Sequence, residues 1–213
     1  MAHPETSHPI EATADARALQ VKFDWLRNRG FIVNANSPDS DPIYTMHYNI
    51  LKSRLTFKSA GDESPVGTGK LHPVSINADV EVHGRTGTMT AVKRLQPVYT
   101  YTSYFFSDDG SPKTMTWTSG SLFKSFDYVC LDENMLPVAK FTSKTLAWKN
   151  MGKIEFLGPK ANDDAFRDEI VVTGMTLFWC IIQRSGNIFN LVGAAIHRPG
   201  KQKQGDNNVQ QGA

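Results

Sequence analysis

The sequence predicts a mainly β protein: a closed antiparallel barrel of roughly 12 strands around one hydrophobic helix near the C-terminal end. Two observations predict it. From Leu19 to Leu157, short runs of β-favouring residues recur about every ten residues, separated by turn chemistry. One later segment, 165–184, has helix-boundary signals and no polar face. Strands at that spacing make a sandwich or a barrel, and a helix apolar all round must be surrounded. A barrel closed around the helix satisfies both demands.

The strands are justified in chain order. Gly67 and Gly69 mark a weak, bent strand. Ile76, Ala78, Val80 and Val82 alternate with Asn77, Asp79, Glu81 and His83, the period of a half-buried strand. The stretch Leu95-Gln96-Pro97 breaks one strand from the next. Val98 to Phe106 and Phe126 to Leu131 are dense in aromatic and β-branched residues. The turns are Ser37-Pro38-Asp39, Gly61-Asp62-Glu63-Ser64-Pro65, Asp108-Asp109-Gly110-Ser111-Pro112 and Asp132-Glu133-Asn134.

The helix follows. Asn162-Asp163-Asp164 offers N-caps, Asp168 and Glu169 stand in the early turns, and Arg184 and Gly186 fall at its end. From Ile170 to Ile182 no residue is charged, and only Thr173 and Thr176 interrupt the apolar residues. A membrane span needs about 20 apolar residues, so this shorter stretch reads as a core helix. Residues 1–17 and 199–213 are polar and read as flexible tails flanking one domain over 18–198.

Composition excludes some functions. The chain has 213 residues with 23 Lys+Arg against 21 Asp+Glu, too even a balance for a dedicated nucleic-acid binder. The N-terminal stretch has no basic-then-apolar pattern of a secretory signal. Cys130 and Cys180 lie in apolar runs and read as buried, reduced thiols of a cytoplasmic protein. Gly67-Thr68-Gly69-Lys70 invites a phosphate-loop reading, but Ser64 and Leu71 stand where the first Gly and the final Ser or Thr belong. None of the six histidines falls in a zinc spacing, and His83 reads as an exposed polar residue. The carboxylates concentrate in turns, where local hydrogen bonding explains them. The expectation is a non-enzymatic monomer with no cofactor and no bound metal.

One electrostatic feature stands out. Lys140, Lys144, Lys149, Lys153 and Lys160 face a single Glu155, with Trp148 among them. Adjacent strands can gather such lysines on one outer face, which an anionic membrane surface would attract. Lys140, Lys144, Lys149 and Lys153 are the candidate lipid-headgroup residues. The plainer reading is a solvated face whose lysines protect strand edges.

The segment from Phe126 to Asn134 followed by Leu136 to Phe141 resembles the strand–turn–strand unit of the tubby C-terminal-like superfamily. That superfamily includes tubby proteins, phospholipid scramblases and LURP-one-related proteins. Lys153 to Leu157 resembles its last strand, and Asp168 to Met175 the start of its central helix, as in uncharacterised fungal members. The resemblance implies a barrel around a hydrophobic helix and, from tubby proteins, phosphoinositide binding at a membrane surface. The family's binding residues do not match position by position. The metal-binding and palmitoylation segments of scramblases have no counterpart here. Two other readings stay open: a soluble interaction or structural barrel with an unknown protein partner, and a scramblase-like protein inserting 170–196.

Overall fold

The structure is a computed structural model that describes residues 17–93, 97–119, 127–143 and 150–184. Twelve strands close into one barrel in chain order. They are β1 (Ala18–Asp24), β2 (Arg29–Asn34), β3 (Tyr44–Asn49), β4 (Arg54–Ser59), β5 (Pro65–Leu71) and β6 (Ala78–Val82). They continue as β7 (Arg85–Lys93), β8 (Val98–Ser103), β9 (Lys113–Thr118), β10 (Tyr128–Leu131), β11 (Pro137–Ser143) and β12 (Asn150–Phe156). Each pairs antiparallel with the next, and β1 pairs with β12 to close the ring, from Ala18 opposite Glu155 to Lys22 opposite Asn150. Closure leaves no free sheet edge.

After β12 a 3-10 turn (Pro159–Asn162) leads into α1 (Asp164–Arg184). Asp163 is the N-cap: its carboxylate accepts the Phe166 N–H at 3.0 Å and its carbonyl the Arg167 N–H at 2.9 Å. Every residue from Glu169 to Cys180 is buried. The predicted helix is therefore central, and its apolar stretch faces the barrel wall rather than lipid. Among the described residues no helix is long and apolar enough to cross a membrane. Residues 185–198, the rest of the predicted domain, lie outside the described residues, as do 1–16, most of one predicted tail, and 199–213, the other.

The strands supply the other half of the core through their alternation. Leu19, Val21 and Phe23 point inward from β1, and Ala78, Val80 and Val82 from β6. Aromatic rings fill the space around α1. Phe141 meets Phe178 at 5.2 Å between centroids and Phe106 meets Phe166 at 5.3 Å. Trp117 lies against Gly174, where an added Cβ would sit 3.2 Å from its ring, and its indole N–H donates to Thr173 Oγ1 at 3.2 Å.

Gly67 and Gly69 lie on an irregular strand, as expected, and have a second role. The β4–β5 register shifts beside Gly67, where Phe57 is opposite Gly67 and Lys58 opposite Pro65; β6 pairs with Gly67 to Leu71, and α1 packs directly on β5. A Cβ on Gly69 would lie 2.0 Å from Thr176 Oγ1. The missing side chains let the helix approach the wall.

Candidate functional site

The wall formed by β1, β12 and β11 carries the described part of the predicted lysine cluster. Lys140 on β11 is opposite Glu155, and Lys153 on β12 is opposite Thr142. Both lysines therefore share the outer face, one register step apart. Lys153 Nζ binds Glu155 Oε1 at 2.9 Å, so the single acid of this stretch is engaged by one lysine. Lys144 and Lys149 lie outside the described residues, in the connection from Ser143 to Asn150. Lys160 is not on this wall: it stands in the 3-10 turn, bound to Asp108 and to Asp163. Sequence proximity had grouped it with the strand lysines, whereas the chain leaves the sheet after Phe156.

Barrel closure adds a residue the sequence reading missed. β1 lies beside β12, with Gln20 opposite Lys153 and Lys22 opposite Asn150. Lys22 thus joins the same wall, reaching the Pro38 carbonyl. Only the β1–β12 pairing reveals it, because the two strands are distant in sequence.

A second cluster surrounds the start of α1. Asp168 accepts from Tyr44 Oη at 2.6 Å and pairs with His83 Nε2 at 2.7 Å. His83 is exposed, as its place at a strand end suggested, and it also has a partner in Asp168. It ties the β6–β7 turn to the helix from a left-handed backbone, φ 47°. Glu169 is only 3% exposed, and Ser103 Oγ donates to it. The same Ser103 oxygen accepts the Phe105 and Phe106 N–H groups at 3.3 and 3.1 Å. Burial pushes the Glu169 carboxyl up to about 7, against the hydrogen bonds from Ser103 and the Tyr104 backbone. Burial, then the Asp168 carboxylate, pushes the Tyr44 hydroxyl up. The hydrogen bonds of His83, Tyr44 and Ser103 go to the two carboxylates and hold the helix start in the barrel mouth.

Glu169 sets a pH dependence. Below its ordinary value of 4.5 both folded and unfolded chains hold the proton. As pH rises to about 7 the unfolded chain ionises first, so stability falls across that window and stays low above it. The shift corresponds to roughly 3 kcal/mol. In Glu169→Gln this loss is expected to vanish. Urea unfolding of both chains between pH 4.5 and about pH 8 checks it, and parallel profiles would refute it.

Both thiols are buried and free, as expected, and burial pushes Cys130 and Cys180 up, toward inert thiols. Among the described residues no group of three His, Cys, Asp or Glu could hold a metal ion. The wall also has shallow grooves. One, of about 360 Å³, crosses β4 to β7 and mixes Arg54 and Lys70 with Asp79 and Glu81. Three of these four charges have partners: Arg54 with Glu81 at 3.9 Å and Asp79 with His72 at 2.8 Å.

No protein-family model and no curated protein matches the chain. The chain is similar to the X-ray structure of a protein from Arabidopsis thaliana, at 15% identity and a TM-score of 0.45, over 75% of this chain and 91% of that one.

Proposed function

We propose that the chain is a non-enzymatic, tubby-like barrel that binds anionic lipid headgroups at a membrane surface, as a monomer peripheral to the bilayer. The observation that carries this reading is the shared outer face of Lys140 and Lys153, extended by Lys22, with Glu155 pairing Lys153 and Asp39 standing 4.0 Å from Lys22. Lys144 and Lys149 belong to the connection between the same two strands and complete the proposed basic set. Each lysine close to an anionic surface contributes about 1 kcal/mol, with Lys153 contributing less because Glu155 already holds it. The segments resembling the tubby superfamily form β10, β11, β12 and α1, which supports the same reading.

Vesicle flotation tests it. The wild-type chain is expected to float with phosphatidylcholine vesicles containing a phosphoinositide and not with phosphatidylcholine alone. Lys140→Ala with Lys153→Ala is expected to lower that recovery about tenfold or somewhat less. Equal, negligible flotation on both vesicles would reject headgroup binding and leave a soluble interaction barrel.

A further inference from the structure

The two rims of the barrel differ in kind. In an up-and-down barrel alternate connections open at opposite ends. α1 starts at one rim, beside Tyr44, His83 and Ser103, and ends at the other, where the Arg184 guanidinium donates to Tyr99 Oη at 2.6 Å. At this second, exit rim the connections 25–28, 50–53 and 72–77 contain no Asp or Glu, and the described acids beside them are Asp127 and Asp24, which lies 3.9 Å from the Arg27 side chain. Each connection instead holds an apolar side chain in solvent: Leu26 is 81% exposed, Leu51 98% and Val74 98%. Arg27 follows Leu26, and Lys52 follows Leu51. Val92, 56% exposed, lies near the same end on β7.

These tips are held out by their own turns. Asp24 Oδ1 accepts the Leu26 and Arg27 N–H groups at 3.1 and 3.3 Å, and Asn49 Oδ1 the Lys52 N–H at 3.0 Å. The third connection is tied down around Val74. Asn77 Oδ1 accepts the Ala91 N–H at 3.0 Å, and Tyr99 Oη donates to the Ile76 carbonyl at 2.9 Å.

The start rim is the opposite. Its connections carry Asp39, Asp41, Asp62, Glu63, Asp108 and Asp109; Lys160 is bound to Asp108 and Asp163, and Lys58 on β4 to Glu63 at 3.1 Å. Its exposed apolar residues are Met135 and Leu136, which follow Asp132 and Glu133, and Ile43, which is only 38% exposed and follows Asp41-Pro42.

An isolated exposed apolar side chain needs no explanation. Three of them on adjacent connections of one rim, two of them next to cations and all opposite a rim richer in acids, fit one kind of surface. A protein partner needs a continuous complementary patch of about 800 Å². A bilayer interface accepts separate apolar tips about 5–10 Å deep and draws adjacent cations to its phosphates.

We propose that the exit rim docks end-on against an anionic bilayer. Leu26, Leu51 and Val74 enter the boundary between headgroups and acyl chains, and Arg27 and Lys52 meet the phosphates. The barrel axis stands upright and the acidic rim faces away. This inference rests on the lipid-binding reading above and adds the face and the apolar contacts to it.

Site-specific labelling tests it. An environment-sensitive NBD dye is attached at Leu51→Cys, Val74→Cys and, on the opposite rim, Met135→Cys. The wild-type chain, with Cys130 and Cys180 buried, is the labelling blank. With phosphatidylcholine vesicles containing phosphatidylinositol bisphosphate, the dyes at 51 and 74 are expected to shift to the blue and brighten, and the dye at 135 to stay unchanged. Leu51→Ser with Val74→Ser is expected to reduce flotation about tenfold or more. Flotation without a shift at 51 and 74 would overturn end-on docking while leaving headgroup binding intact. No flotation of the wild-type chain would overturn both. If the tips instead respond to rising protein concentration without lipid, the rim is an interface between two copies, and the proposal fails.

Discussion

Gly69→Ala is expected to destabilise the chain by about 3 kcal/mol or more, the upper end of the usual cost of overpacking a core. A Cβ at this position meets Thr176 Oγ1 at 2.0 Å and Thr176 Cβ and Cγ2 each at 2.9 Å. Rotating the threonine side chain cannot relieve contact with its own Cβ, so helix or strand must move. Both are fixed. Thr176 is fully buried with its hydroxyl on the Val172 carbonyl at 2.7 Å, and β5 is paired on both sides. Gly87→Ala is the control. Nothing lies within 4 Å of its Cβ, so its expected change is within about 0.5 kcal/mol. Urea midpoints measure both. A double-mutant cycle with Thr176→Ala is expected to reveal coupling, with the threonine truncation costing less in the Gly69→Ala background than in the wild-type chain. Equal midpoints for Gly69→Ala and wild type would show that the helix does not press on β5.

Trp179→Asp is expected to abolish cooperative folding. Trp179 is 2% exposed and sits among Tyr48, Phe23 and Trp25, at 4.3, 5.2 and 5.8 Å between ring centroids. Truncating such a residue costs about 3–5 kcal/mol, and a carboxylate in its place adds an unpaired buried charge. Together these approach the whole stability of a typical domain, about 5–15 kcal/mol. Trp179→Phe separates the architecture from mere sensitivity of the position. The indole N–H has no acceptor among the described residues, so phenylalanine loses packing area and no hydrogen bond found there. It should keep the cooperative transition. Circular dichroism during thermal unfolding distinguishes the two, and a folded Trp179→Asp chain would contradict a central helix.

Both results test a fold that the sequence made readable because its signals were local. Alternation along β6 marks one buried face per strand, and the Asp-Gly and Asp-Ser turns space the strands. Asp132 shows how local this is: Oδ1 accepts the Asn134 and Leu136 N–H groups at 2.9 and 2.8 Å, all within one turn. The helix bounds were legible for the same reason, through Asp163 and Arg184.

The site was legible only in part. That Lys140 and Lys153 share a face was legible because adjacent antiparallel strands keep sequence neighbours together in space. Lys160 was grouped with them wrongly, since it leaves with the 3-10 turn. Lys22 was missed because its place beside β12 exists only once the ring closes. The exposure of His83 was legible, but its partner was not, because Asp168 lies 85 residues away.

By itself, then, the sequence determined that this chain must build many short strands and enclose one helix. Those are properties of hydrophobic period, turn chemistry and the absence of a polar face. The tertiary structure alone decided which glycines make room for the helix, which carboxylate is buried beside Ser103, and which of the described turns share a rim. These depend on which strands face each other and which way each connection opens, and the chain sets that only when β1 meets β12.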